Sequence, residues 1–67
     1  MQRNNLINAR KEATFTQKET ATILHVTERH YQKLEAGTSK GSVDFWERAR
    51  DLFNAPNLDY LLELSEE

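Results

Sequence analysis

The chain has no cysteine among its 67 residues, so disulfides and thiolate metal sites are excluded. Glycine occurs twice and proline once, too few for long irregular loops. No apolar run approaches the roughly 18 residues that suggest a membrane span. The opening segment MQRNNLINAR lacks the apolar stretch of a secretory signal. These absences predict a soluble, cytoplasmic protein. Glycine-rich phosphate loops, nucleophile motifs and metal-ligand patterns are also missing, which argues against an enzyme, a cofactor or a small-molecule ligand. His25 and His30 lack a third ligand for a metal. Asp44, Glu47, Asp51 and Asp59 read as a solvated face. A chain of this length supports one domain, residues 1–67, with a single core that buries about 60% of the unfolded chain's surface.

What is present is charge, unevenly placed. Charged residues make up 30% of the chain and hydrophobic ones 37%, with a net charge of −2. Residues 1–40 carry seven Lys/Arg against four Glu, a balance of +3, and residues 41–67 carry two against seven acids, a balance of −5. That asymmetry suits a basic contact face with an acidic rear.

The apolar spacing is helical nearly throughout, with none of the alternation a strand needs. A first helix is expected over about 3–12, with Leu6, Ile7 and Ala9 as its apolar positions. Thr16-Gln17-Lys18-Glu19 forms a capping box that starts a second helix over about 17–24, burying Ala21 and Leu24. Thr27 caps a third over about 28–35, with Val26 and Tyr31 placed as a hydrophobic staple and Leu34 also inward. Gly37 suits its left-handed end. Ser42 or Asp44 caps a fourth helix over about 43–53, with Phe45, Trp46, Ala49, Leu52 and Phe53 apolar. Asn57 caps a last helix over 58–64. Helices this short must share one core.

The segment 17–37 is the most informative. Two helices of about eight residues are joined by His25-Val26-Thr27, a connection that makes them cross steeply, as in a helix-turn-helix. The small Ala21 sits at their closest approach. The outer face of the second helix then reads Glu28, Arg29, His30, Gln32, Lys33, all polar and with reach. Such a helix fits the major groove of DNA, its N-terminal residues meeting base edges.

Leu6, Arg10, Phe15-Thr16-Gln17, Ala21, Leu24, Val26-Thr27, Tyr31, Leu34-Glu35 and Gly37 match without a gap the spacing of the lambdoid phage repressor and Cro family, the Xre type, which the chain resembles. The match continues through Ser42-Val43-Asp44-Phe45 to Leu58-Asp59-Tyr60-Leu61-Leu62 and covers nearly the whole chain. The resemblance implies an all-α, compact five-helix lambda-repressor-like domain and a transcription regulator that binds double-stranded operator DNA. It places Thr27, Glu28, Arg29 and Lys33 at base-contacting positions. Gln17 matches a residue that bonds a phosphate and braces a base-reading side chain, and Lys18 and Lys40 fall at backbone-contacting places. Amides at the starts of the second and fourth helices are further phosphate donors. Arg10 and Glu35 match a structural ion pair. Arg29 can fork onto guanine O6 and N7; Glu28 can accept from cytosine N4 or simply repel phosphate.

Some positions depart from the family's pattern. His25 stands where glycine is usual in a left-handed turn, and must bear that conformation or relax the turn. Thr20 replaces a large aliphatic, Gly41 a common proline, and Arg50 a usual alanine, which suggests that the fourth helix is rotated or makes different contacts.

Leu58, Tyr60, Leu61, Leu62 and Leu64 crowd the C-terminus beyond what so short a helix buries, and exposed apolar surface usually marks a partner. With the resemblance, this implies a homodimer through Leu58, Leu61 and Leu62, its recognition helices about one DNA turn (~34 Å) apart on a palindromic operator. The alternative reading is a protein-interaction module, an antirepressor, antitoxin or adaptor, that keeps the scaffold and uses its apolar helix or acidic half.

Overall fold

The computed structural model describes residues 2–64. It holds five helices, α1 Asn4–Glu12, α2 Gln17–Ile23, α3 Glu28–Ala36, α4 Val43–Phe53 and α5 Leu58–Leu62, and no strand among the described residues. No helix among them is long and apolar enough to cross a membrane.

Side-chain caps set four of the five helix starts. Thr16 Oγ1 accepts from the Glu19 amide at 3.1 Å while Glu19 Oε1 accepts from the Thr16 amide at 2.9 Å, completing a capping box. Thr27 Oγ1 accepts from the His30 amide, Ser42 Oγ from that of Phe45 and Asn57 Oδ1 from that of Tyr60. Each such cap contributes about 1 kcal/mol. Only α1 begins without one; Arg3 precedes it and instead donates its amide to the Glu35 carbonyl at 2.8 Å.

Left-handed residues end the first four helices. After α2, His25 at φ 61° lets its own amide donate to the Thr22 carbonyl and the Val26 amide donate to that of Ala21. That is a Schellman ending, so the turn keeps its left-handed form and His25 bears it. Thr14 at φ 63° and Asn54 at φ 53° end α1 and α4 in the same region, and Gly37 at φ 82° ends α3.

Leu6, Ala21, Leu24, Tyr31, Leu34, Phe45, Trp46, Ala49 and Leu61 form the core, with α2 on α3, α1 on α3 and α5, and α4 on α5. Phe45 packs edge-on against Trp46, ring centres 4.9 Å apart. Phe45, Trp46 and Ala49 hold the inward face of α4, and the Arg50 guanidinium pairs with neighbouring Asp51 at 3.4 Å. Thr20, in place of a large aliphatic, is fully buried, its hydroxyl donating to the Thr16 carbonyl at 2.9 Å. Ile7 is only half-buried.

The C-terminal helix corrects one expectation. Leu61 has no exposed surface and belongs to this chain's own core, so it is not available to a second copy. Leu58, Leu61 and Leu62 share the i, i+3, i+4 face of α5, and that face is turned toward α1 and α4. At this end of the described residues the exposed large apolar side chains are Tyr60 and Leu64. The helix stops at Leu62 rather than 64; with Leu64 pointing to solvent, another turn would gain little burial to offset its ordering. Of the acidic half, Glu66 and Glu67 lie outside the described residues.

Candidate nucleic-acid interface

Helix α3 divides cleanly. Tyr31, Leu34 and Glu35 are buried, His30 is half-buried, and Glu28, Arg29, Gln32, Lys33 and Ala36 are exposed. At about 100° per residue the exposed five fall within an arc of roughly 140°. The outward stripe is therefore polar from Glu28 to Lys33, ends in the small Ala36, and faces away from the core. Thr27, just before it, is exposed, but its oxygen is engaged as the helix cap.

The stripe rests on a polar network. Arg10 Nε donates to Glu35 Oε2 at 2.6 Å, and its Nη1 to the Phe15 carbonyl at 2.9 Å. The pair is almost fully enclosed, with side-chain exposures of 12% and 5%, so it ties α1 to α3 in a medium of low dielectric. Glu35 Oε1 accepts from Gln17 Nε2 at 2.9 Å, and Gln17 Oε1 in turn accepts from Gln32 Nε2 at 3.4 Å. A chain of contacts thus runs from the buried pair out to Gln32 on the exposed face. Tyr31 lies beside this network with its hydroxyl buried and unpaired. Burial first, and then the Glu35 carboxylate, push its pKa far above the usual phenol range.

The network alters the expected part of Gln17. One of its amide hydrogens and its oxygen are committed within the protein, and the residue is half-buried. Its geometry favours bracing Gln32 over reaching outward. Lys18, one residue on, is exposed. It borders a shallow, mostly apolar groove of about 390 Å³ that Phe15, Glu19, Thr22 and Ile23 also line.

Lys40 stands on the 37–42 loop, and that loop is pinned from beneath. Arg3 Nη1 donates to the Leu34 carbonyl at 2.6 Å and to the Ser39 carbonyl at 2.7 Å. Its guanidinium lies 5.0 Å from the centre of the Trp46 ring, whose Nε1 donates to the Lys40 carbonyl at 2.7 Å. The Lys40 side chain itself is exposed. Burial lowers the Arg3 pKa from its ordinary value.

Arg3 and Arg10 therefore leave the basic surface, one as a loop clamp and the other as an ion-pair partner. Through residue 40 the exposed cations are Lys11, Lys18, Arg29, Lys33 and Lys40, and the exposed acids Glu12, Glu19 and Glu28, a balance of +2. Glu19 and Asp44 sit in the first turns of α2 and α4. Their carboxylates already favour those helix ends and would repel an approaching phosphate, which weakens the amides there as anchors. Among the described residues the ion pairs are Arg10–Glu35 and Arg50–Asp51, so neither Arg29 nor Lys33 is neutralised. These two cations are spaced i, i+4 on one helix, an arrangement that costs about 0.2–0.5 kcal/mol by mutual repulsion.

The bracing of Gln32 and the clamping role of Arg3 beneath this surface are not legible in the sequence. Gln32 is legible only as part of a polar face, because its brace depends on where α2 meets α3. Arg3 offers no sequence signal, since its partners lie 31 and 36 positions away. Comparison of the chain with protein-family models, with curated proteins and with solved structures gives no match.

Proposed function

We propose that this chain is a lambda-repressor-like helix-turn-helix domain that regulates transcription by occupying operator DNA, with α3 as its recognition helix. The observation that carries the reading is the pair Arg29 and Lys33. Both are exposed and unneutralised on one face of a helix whose opposite side is locked by Tyr31, Leu34 and the Arg10–Glu35 pair. Rigid support with long cationic side chains outward is what readout of base edges in the major groove requires. Arg29 forks onto guanine, Lys33 reaches guanine or phosphate, and Gln32, held by Gln17, is oriented to bond adenine. Glu28 selects cytosine or penalises loose binding. Lys18 and Lys40 anchor phosphates on either side. Two copies related by a two-fold axis read the halves of a palindromic site.

A second reading, a protein-interaction module, is favoured by Glu28 on the same face and by the exposed Tyr60 and Leu64. Selection of bound duplexes from a random pool, followed by titration at two salt concentrations, separates the two. Arg29→Ala is expected to flatten the preference among selected sequences. Lys40→Ala is expected to weaken every sequence alike and reduce the salt slope by about 0.9, one phosphate contact. If both variants behave the same way, Arg29 as base reader and Lys40 as phosphate anchor are wrong roles; if no duplex is retained, the protein-interaction reading takes precedence.

A further inference from the structure

We propose that Arg3 and Trp46 are positioning residues that hold the 37–42 loop in the shape from which Lys40 meets a phosphate. The inference rests on the DNA-binding reading above and adds to it two residues that touch no nucleic acid. The loop contains two glycines among small polar residues, Gly37-Thr38-Ser39-Lys40-Gly41-Ser42, and such a segment is mobile unless something fixes it. In this loop both central carbonyls are taken. Ser39 O is held by Arg3 and Lys40 O by the Trp46 indole. The same Arg3 Nη1 also holds Leu34 O on α3, so one guanidinium joins the loop to the recognition helix.

An arginine is a costly way to fill a buried space. Arg3 is only 4% exposed and its Nε finds no partner, a desolvation that an apolar residue would avoid. What the arginine supplies instead is a planar donor that spans two carbonyls while stacking on an aromatic face. A lysine keeps the charge but lacks the planar face that lies over the indole, and its nitrogen ends one bond short of the position Nη1 holds between the two carbonyls. With the loop backbone drawn inward at 39 and 40, the Lys40 side chain stays in solvent on a fixed base, so less freedom is lost when it meets a phosphate.

A double-mutant cycle on DNA binding tests this, using the full chain with Arg3→Lys and Trp46→Phe, each alone and combined with Lys40→Ala. In the wild type, Lys40→Ala is expected to reduce the salt slope by about 0.9. In either clamp background Lys40→Ala should have little further effect, because the lysine has already lost its placement; base preference should stay unchanged throughout. A residue that merely stabilised the fold would give additive effects instead. A second measurement needs no DNA. The Trp46 indole N–H should exchange slowly in the wild type and about tenfold faster in Arg3→Lys, the effect of losing a charge-assisted hydrogen bond. Additive cycles, or unchanged indole exchange, overturn the clamp while the DNA reading stands. A wild type that shows no salt-dependent binding overturns that reading, and the positioning role falls with it.

Discussion

At the residue scale, positive φ is shared between two glycines and three side chains that accept it less readily. Gly37 and Gly41 adopt it at little cost, whereas Thr14, His25 and Asn54 adopt it against the preference of their side chains. Asn is the tolerant case, whereas β-branched Thr is the least suited to that region. The Schellman endings of α1 and α2 need a left-handed residue wherever the sequence places one, so the strain is imposed by the helix boundary. Thr14→Gly and His25→Gly are each expected to stabilise the fold by about 1 kcal/mol, with Thr14→Gly the larger. A urea titration measures it: the midpoint should rise with the slope unchanged. A lower midpoint for both variants would show that side-chain contacts outweigh backbone strain at these turns. The His25 conflict is visible in the sequence through the resemblance, which implies a glycine in a left-handed turn at that position. That at Thr14 is not: the poor helix formers Thr14-Phe15-Thr16 mark where α1 stops, but not which residue takes the left-handed position.

At the element scale, the α3–α4 loop depends on Gly41 for more than its φ of +73°. A Cβ there would lie 2.9 Å from Leu34 Cδ2 and 3.0 Å from Trp46 Nε1, both within the packing that supports Lys40. Gly41→Ala is expected to cost about 1–3 kcal/mol, read from the urea midpoint, and to weaken DNA binding through the displaced loop. A neutral result would mean that the loop adapts freely and is not held. Local signals account for most of the elements. Thr16, Thr27, Ser42 and Asn57 announce helix starts through their own side chains, and Gly37 announces an end, all within a few residues of what they control. The exposed face of α3 follows from the same period. Assignments that depend on distant contacts are hidden: Arg3 as a buried clamp, and Leu61 as core in place of interface. Spacing alone shows that Leu58, Leu61 and Leu62 share a face, but α1 and α4 decide which way it turns.

At the scale of the whole molecule, size limits what one copy can read. The domain measures 28 × 24 × 23 Å, shorter than the ~34 Å turn of DNA that separates equivalent half-sites. On the proposed reading, one recognition helix meets only a few base pairs, so discrimination among many sequences calls for a second copy. Since Leu61 is enclosed, the proposed pairing would use what remains outside, and Tyr60 and Leu64 are 39% and 42% exposed at the same end. The two kinds of residue should therefore separate experimentally. Leu61→Ala is expected to lower folding stability by about 2–5 kcal/mol, visible as a lower urea midpoint in dilute protein. Tyr60→Ser with Leu64→Ser should leave that midpoint nearly unchanged, reduce self-association in sedimentation across a concentration series, and weaken binding to two half-sites far more than to one. The last contrast matters most, because a half-site reports a single helix in its groove and a full site reports the pair. If the Tyr60/Leu64 variant binds the full site as tightly as the wild type, the two copies meet elsewhere. Val43, at 66% exposure, would then be the next apolar position to substitute.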